Sequence, residues 1–202
     1  GVQTCALPIW TDRTPLGAER AGNAAGTIPA WTGGVQPPAH YQPGMHHPDP
    51  FASDAMLYRV DGADLTQHRE LLPAGLADLL ERNPDYYLQV YPTRRSAAAP
   101  QRIYDATRAN AERAEVISNG NGVSGAVAGI PFPITQDGME VIWNHILHYK
   151  GEQNHFINNQ AVVINGRSNL IKRERYVYYV YNREGMTHEA MDNTLLYYRY
   201  QV

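Results

Sequence analysis

A single cysteine, Cys5, stands in the 202 residues. An intrachain disulfide, a four-thiolate zinc site and an iron–sulfur cluster held by this chain alone are thereby excluded, and the redox compartment stays open. Charge is scarce too. Asp, Glu, Lys and Arg make up 18% of the chain, against ~25% in ordinary soluble domains. Seventeen basic residues face 20 acidic ones, for a net charge of -3 and a pI near 6.2. With no basic excess to neutralise a phosphate backbone, nucleic acid is not an expected partner. No apolar run approaches the ~18 residues that begin to span a bilayer, so no transmembrane segment is expected. The first residues also lack the basic-then-apolar pattern of an export signal. Finally, no proline follows Pro133.

What is present is enough for a folded body. Apolar residues reach 43%, and a chain of this length buries roughly 70% of the surface its unfolded form exposes. Residues 1–50 hold 8 of the 14 prolines and show no periodic pattern, which reads as an irregular lead segment. Its aromatic residues, Trp10, Trp31, Tyr41 and Phe51, are too numerous for a solvated linker and suggest a strap wrapped onto another surface. Leucines at helical spacing predict short helices over Asp64–Leu71 and Pro73–Asn83, with Pro73 tolerated in a first turn. Tyr86–Tyr91 alternates and reads as a strand stopped by Pro92. A helix is expected from Gln101 to Glu115, and the glycines 120, 122, 125 and 129 then suggest a flexible connector.

The strongest helix signal is Met139–Lys150. Met139, Ile142, Trp143, Ile146 and Tyr149 repeat as one buried stripe, Asp137 and Gly138 open the helix, and Gly151 ends it. Beyond it the period changes to two. Ala161–Ile164, an Asn165–Gly166 turn and Leu170–Tyr181 form a hairpin signature, with a second turn at Asn182–Gly185 and a last run over Thr194–Val202. Half of the 14 tyrosines, at 176, 178, 179, 181, 197, 198 and 200, lie in these last strands. An α+β fold follows, an antiparallel meander whose inner face needs cover that the apolar stripe of the Met139–Lys150 helix can supply.

Four unusual blocks occur in order: LGAERAGNAAGTIPAWTGG at 16–34, HPDPFA at 47–52, DYYLQVYPTRR at 85–95 and GIPFPITQDGMEVIWNH at 129–145. Through them the chain resembles, over residues 15–181, domain of unknown function 1329, a proteobacterial family likened to outer-membrane lipoprotein-sorting proteins. The resemblance implies an incomplete Lol-type half-barrel: a curved sheet around helices with an apolar space between, here an N-terminal fragment of a longer protein. It further implies a location in the periplasm or at the outer membrane and a partner such as an envelope transporter or outer-membrane protein. Ala128 departs from the family pattern, where a glycine is usual. Residues 1–9, GVQTCALPI, lie outside the resemblance and are set aside as non-native, Cys5 with them; 10–63 is the wrapping segment and 64–202 the half-barrel domain.

Several constellations invite chemistry, each with a plainer reading beside it. His46, His47 and Asp49, or His145 and His148 one turn apart, could begin a metal site, but no third ligand is placed; the plainer reading is loop and helix-end hydrogen bonding. Gly122-Val-Ser124-Gly-Ala126 resembles a nucleophile elbow without its final glycine or the strand before it. Arg94 and Arg95 could bind an anionic headgroup, although ion pairing to Asp85 or Asp105 is the commoner use of such arginines. No catalytic residue, metal or cofactor is therefore assigned. The expected function is a non-enzymatic carrier of an apolar or lipid-like ligand, with Trp143, Ile146, Tyr176, Tyr178 and Val180 lining the space. The alternatives are an interaction protein with a fully packed core and, further off, a metal-dependent enzyme using His145 or His148.

Overall fold

The computed structural model describes residues 9–42, 44–46, 48–192 and 199–201. In chain order its elements are α1 (Ile9–Asp12), β1 (Tyr58–Val60), α2 (Leu65–His68), α3 (Ala74–Arg82), β2 (Leu88–Val90), α4 (Gln101–Asn110), β3 (Glu115–Ile117), β4 (Gly122–Ser124), α5 (Gly138–Leu147), β5 (Gln153–Ile164), β6 (Arg167–Tyr178), α6 (His188–Asp192) and β7 (Arg199–Gln201). Every strand pairing among the described residues is antiparallel, no sheet closes into a barrel, and the class is α+β. The chain parts into two compact units, one of Ala21–Ala98 and one of the residues up to Arg20 together with Ala99 onward.

In the Ala21–Ala98 unit, β1 and β2 form a short ladder with Val60 opposite Leu88. Val60, Leu65, Ala77 and Leu80 make its core, with Leu72, Leu88 and Val90 against them. The predicted helix pair is present. The first continues past His68 as a 3-10 turn over Arg69–Leu71. Pro73 caps the second, where its missing N–H costs nothing. The strand expected over Tyr86–Tyr91 shortens to Leu88–Val90, the stretch that finds partners on β1. The irregular segment before β1 is ordered by polar anchors. Asn23 Oδ1 accepts from the Ile28 N–H at 2.9 Å, the Trp31 indole donates to the Ala97 carbonyl at 3.0 Å, and the Val35 N–H donates to Ser96 O at 3.0 Å.

The larger unit is organised around α4. Ile103, Thr107 and Asn110 face inward and are fully buried. Thr107 Oγ1 accepts from the Ile130 N–H at 3.2 Å and donates to the Ile103 carbonyl at 2.8 Å. Asn110 reaches an arch of backbone: its Nδ2 donates to the carbonyls of Val127, Ala128 and Ile130 at 3.3, 2.8 and 3.3 Å, and its Oδ1 accepts from Val127 N–H at 3.1 Å. Gly129, at φ +62, lies so close to α4 that a Cβ there would stand 2.3 Å from Thr107 Oγ1. The expectation of a helix running on to Glu115 and then a flexible connector is therefore corrected. The helix stops at Asn110, β3 and β4 pair with Val116 opposite Val123, and Val123, Ala126 and Val127 belong to the main core with Phe132, Trp143, Leu147, Tyr181 and Met191. Buried backbone needs partners, and Asn110 supplies four bonds to it.

Helix α5 begins where its N-cap predicts, with Asp137 accepting from the Met139 and Glu140 N–H groups. Glu140 reaches back to the Gln136 N–H. It ends at Leu147, short of the expected Lys150, because His148 is already extended. The expected stripe is rotated. Trp143 and Leu147 are buried, whereas Met139, Ile142 and Ile146 are 39%, 52% and 38% exposed. Two polar side chains fix the inward face: Trp143 Nε1 donates to Gly120 O at 3.0 Å, and Asn144 clamps both backbone groups of Phe132 at 2.6 and 2.9 Å.

The hairpin follows its signature. β5 and β6 pair over their full length from Gln153↔Tyr178 to Ile164↔Arg167, and Asn165 and Gly166, at φ 50° and 73°, make the turn. β7 adds to the other edge of β6, giving the order β5-β6-β7. The strand expected to reach Tyr181 ends at Tyr178, since Val180–Asn182 coil into a 3-10 turn. Of the last expected run, residues 194–198 and 202 lie outside the described residues.

Replacing Asn110 with alanine leaves four backbone groups of the arch without their partner. The expected loss is about 3 kcal/mol of unfolding free energy, read as a lower midpoint in urea. A change within about 0.5 kcal/mol, the scale of an ordinary surface substitution, would show that water serves the arch as well.

Candidate functional site

Where β6 ends, the chain turns sharply. The Tyr179 N–H still donates to Glu152 O at 2.9 Å, the Asn182 N–H donates to Tyr179 O at 3.0 Å, and the Arg183 N–H donates to Val180 O at 3.2 Å. This turn returns Arg183 beside the strand end and opens a cleft of about 420 Å³ lined by Glu152, Gln153, Tyr178, Tyr179, Val180 and Arg183. That volume lies in the range of small-molecule pockets, roughly 300–1,000 Å³.

Its charges are unequally matched. Glu152 is paired to Arg102 at 2.7 Å, and Arg102 is itself fixed by donating to Asn182 O at 3.2 Å and by lying over the Tyr149 ring at 5.6 Å. Arg183 is exposed and makes no ion pair among the described residues. The cleft therefore carries a neutralised carboxylate and an unmatched guanidinium.

Of the five residues expected to line an apolar space, Tyr178 and Val180 stand at this cleft. The other three lie elsewhere. Trp143 is packed into the main core. Ile146 is on the outward face of α5. Tyr176 shares a strand face with Tyr178, opposite buried Val177, and stacks on His155 with ring centroids 4.3 Å apart. His155 in turn meets Glu174 at 2.8 Å. The alternation of β6 thus turns Val177 inward and the two tyrosines the other way, and Val180 leaves the strand altogether. Glu152, Gln153, Tyr179 and Arg183 escaped the sequence reading. Gly151 and the Asn182–Gly185 turn bracket them, and that pairing of two turns was the available signal.

Arg94 and Arg95 are engaged within their own unit. Arg94 grips Asp54 through Nε at 2.9 Å and through Nη2 at 2.5 Å, and lies over Phe51 at 5.3 Å. Its partner is Asp54, not the expected Asp85 or Asp105. Arg95 Nη1 donates to the carbonyls of Ala21 and Pro29 at 3.3 and 3.4 Å. The His145 and His148 rings lie 5.7 Å apart, with His148 Nδ1–H donating to His145 O. Burial pushes the His148 imidazole below its ordinary value, against the raising effect of that bond. No group of three or more His, Cys, Asp or Glu able to hold a metal is found among the described residues. Ser124 ends a strand of a hairpin, so it has no strand-to-helix elbow.

The antiparallel α+β body with a cleft at a strand end belongs to a defined family: residues 59–202 match the model of the protein of unknown function DUF1329, and the chain is a member of that family. It is 34% identical over 200 residues to the uncharacterized protein PA3922 of Pseudomonas aeruginosa, a match covering 98% of this chain and 44% of that protein. The chain thus spans less than half the length of the relative it matches. No solved structure matches.

The grip of Arg94 holds the Asp54 carboxyl below its ordinary 3.8, the hydrogen bond being the main cause. A depressed carboxylate stabilises the fold above its unfolded value, and that contribution disappears as pH falls through the depressed one. Replacing Arg94 with glutamine should raise the Asp54 titration toward 3.8, as followed by carbon-detected NMR of the side-chain carboxyl. An unmoved titration would show that the bidentate contact is not maintained in solution.

Proposed function

We propose that this chain is the ligand-holding part of a non-enzymatic carrier for an apolar or lipid-like molecule, working in the periplasm or at the outer membrane. The observation that carries the reading is the cleft walled by Tyr178, Tyr179 and Val180. Aromatic rings and a branched aliphatic group remove apolar ligand surface from water at roughly 25 cal/mol per Å², and phenol hydroxyls can orient a polar end. Binding and release need no bond-making residue. The family that the four sequence blocks resemble is likened to outer-membrane lipoprotein-sorting proteins, which supports the same reading. It extends to a Lol-type half-barrel in the longer protein, begun by the β5-β6-β7 sheet, and to an envelope transporter or outer-membrane protein as the partner.

A specific observation favours a second reading, an interaction protein whose interior is filled. Met139, Ile142 and Ile146 form an exposed aliphatic row on α5, and Ile157, Val163 and Leu170 stand exposed on one face of the hairpin. Here the apolar surface meets another protein and the cleft stays incidental.

The two separate cleanly. Organic extracts of the purified chain, analysed by mass spectrometry, should contain an amphiphile in near-equimolar amount, and Val180→Glu should lower that amount at least about tenfold by placing a charge against the apolar wall. Ile142→Asp should leave it unchanged. Extracts free of amphiphile, together with no binding of added fatty acid, would give the case to the interaction reading.

A further inference from the structure

Resting on the carrier reading of the same cleft, we infer that its ligand is an anionic single-chain amphiphile, whose carboxylate or phosphate head is held by Arg183 while its chain lies along Tyr178, Tyr179 and Val180. The argument is one of charge complementarity. Among the described residues that line the cleft, two are charged, Glu152 and Arg183. Arg102 stands 2.7 Å from Glu152 and answers its charge, and the bond from Arg102 to the Asn182 carbonyl at 3.2 Å ties that answer to the turn itself. A cationic head would have to displace Arg102 to reach Glu152, and would meet Arg183 as a like charge. An anionic head meets a guanidinium that pairs with no carboxylate among the described residues, in a fork that suits carboxylate and phosphate oxygens alike.

The backbone keeps Arg183 in place. Its N–H closes the turn on Val180 O at 3.2 Å, which brings the head-binding residue within three positions of the apolar wall residue Val180. The phenol hydroxyls of Tyr178 and Tyr179 can add donors near the head. One exposed guanidinium binds a bare anion weakly, because water and salt screen it. The apolar wall is what makes the anion stay, so head and chain are both needed.

Calorimetric titration of the 202-residue chain with dodecanoate, dodecyl phosphate, dodecanol and acetate tests this. Both anionic amphiphiles should bind about tenfold or more tightly than dodecanol, and acetate should not compete. The preferred head, carboxylate or phosphate, is the one with the lower dissociation constant. Arg183→Gln should weaken the anionic amphiphiles to the level of dodecanol while leaving dodecanol unchanged, and Arg183→Lys should restore part of the difference. Because Arg183 is exposed, neither variant disturbs the core. Equal binding of dodecanoate and dodecanol, unaffected by Arg183→Gln, overturns the anionic head and leaves the carrier reading intact. Binding of no probe by the wild-type chain overturns both.

Discussion

The amide of Asn110 and the hydroxyl of Thr107, buried side by side on α4, answer the backbone polar groups of Val127, Ala128 and Ile130. Those groups stand away from water, and unpaired each would cost on the order of 1–3 kcal/mol. The arch they hold leads directly into Phe132, whose backbone is gripped by Asn144, and that grip fixes which side of α5 turns inward. It also meets the far end of the chain, because the Ala128 N–H donates to Tyr181 O at 3.0 Å. Tyr181 sits in the middle of the turn that forms the cleft. The position of the candidate site is thus set, link by link, by hydrogen bonds from side chains to backbone, and apolar packing fills the space they define.

The cleft offers a ligand two kinds of wall, one apolar and one charged. Its apolar wall is generic, since any strand end with two tyrosines offers one. The selectivity we propose for the cleft rests on asymmetry: one charge answered from within the fold by Arg102 and the other, Arg183, without an ion pair among the described residues. The answered charge also does structural work, for Arg102 bridges α4 to Glu152 and to Asn182 at once.

Local signals were legible wherever a residue has one dominant conformational use. Asn165 and Gly166 adopt the positive φ values that their dipeptide favours, Pro73 caps α3, and Asp137 opens α5. The expectations that failed are those in which apolar periodicity competes with buried hydrogen bonding. Of the stripe Met139, Ile142, Trp143, Ile146 and Tyr149, Trp143 is buried, yet Met139, Ile142 and Ile146 stay exposed because Trp143 and Asn144 turn their own side of the helix inward, where their polar atoms have backbone partners. The glycine-rich stretch reads as slack on composition alone, whereas Gly129 is needed for its contact with Thr107. Even Ala128 adopts φ 50°, a left-handed conformation that costs a residue with a Cβ roughly 1–2 kcal/mol. Tyr178 and Val180, named from the sequence, do line the cleft, while Arg183 was not anticipated, because nothing in a sequence tells which arginine will stand beside a strand end without an ion pair.

Gly17 approaches Pro133 so closely that an added Cβ would stand 1.9 Å from the Pro133 carbonyl oxygen, and the stretch up to Arg20 shares a compact unit with Ala99 onward. During synthesis this opening stretch leaves the ribosome long before the surface it docks on has been translated. The intervening Ala21–Ala98 unit carries its own core and can close in that interval. Until the arch behind Pro133 emerges, Gly17 has no surface to pack on, and its neighbours Thr11, Asp12, Arg13 and Thr14 are polar enough to remain in water meanwhile.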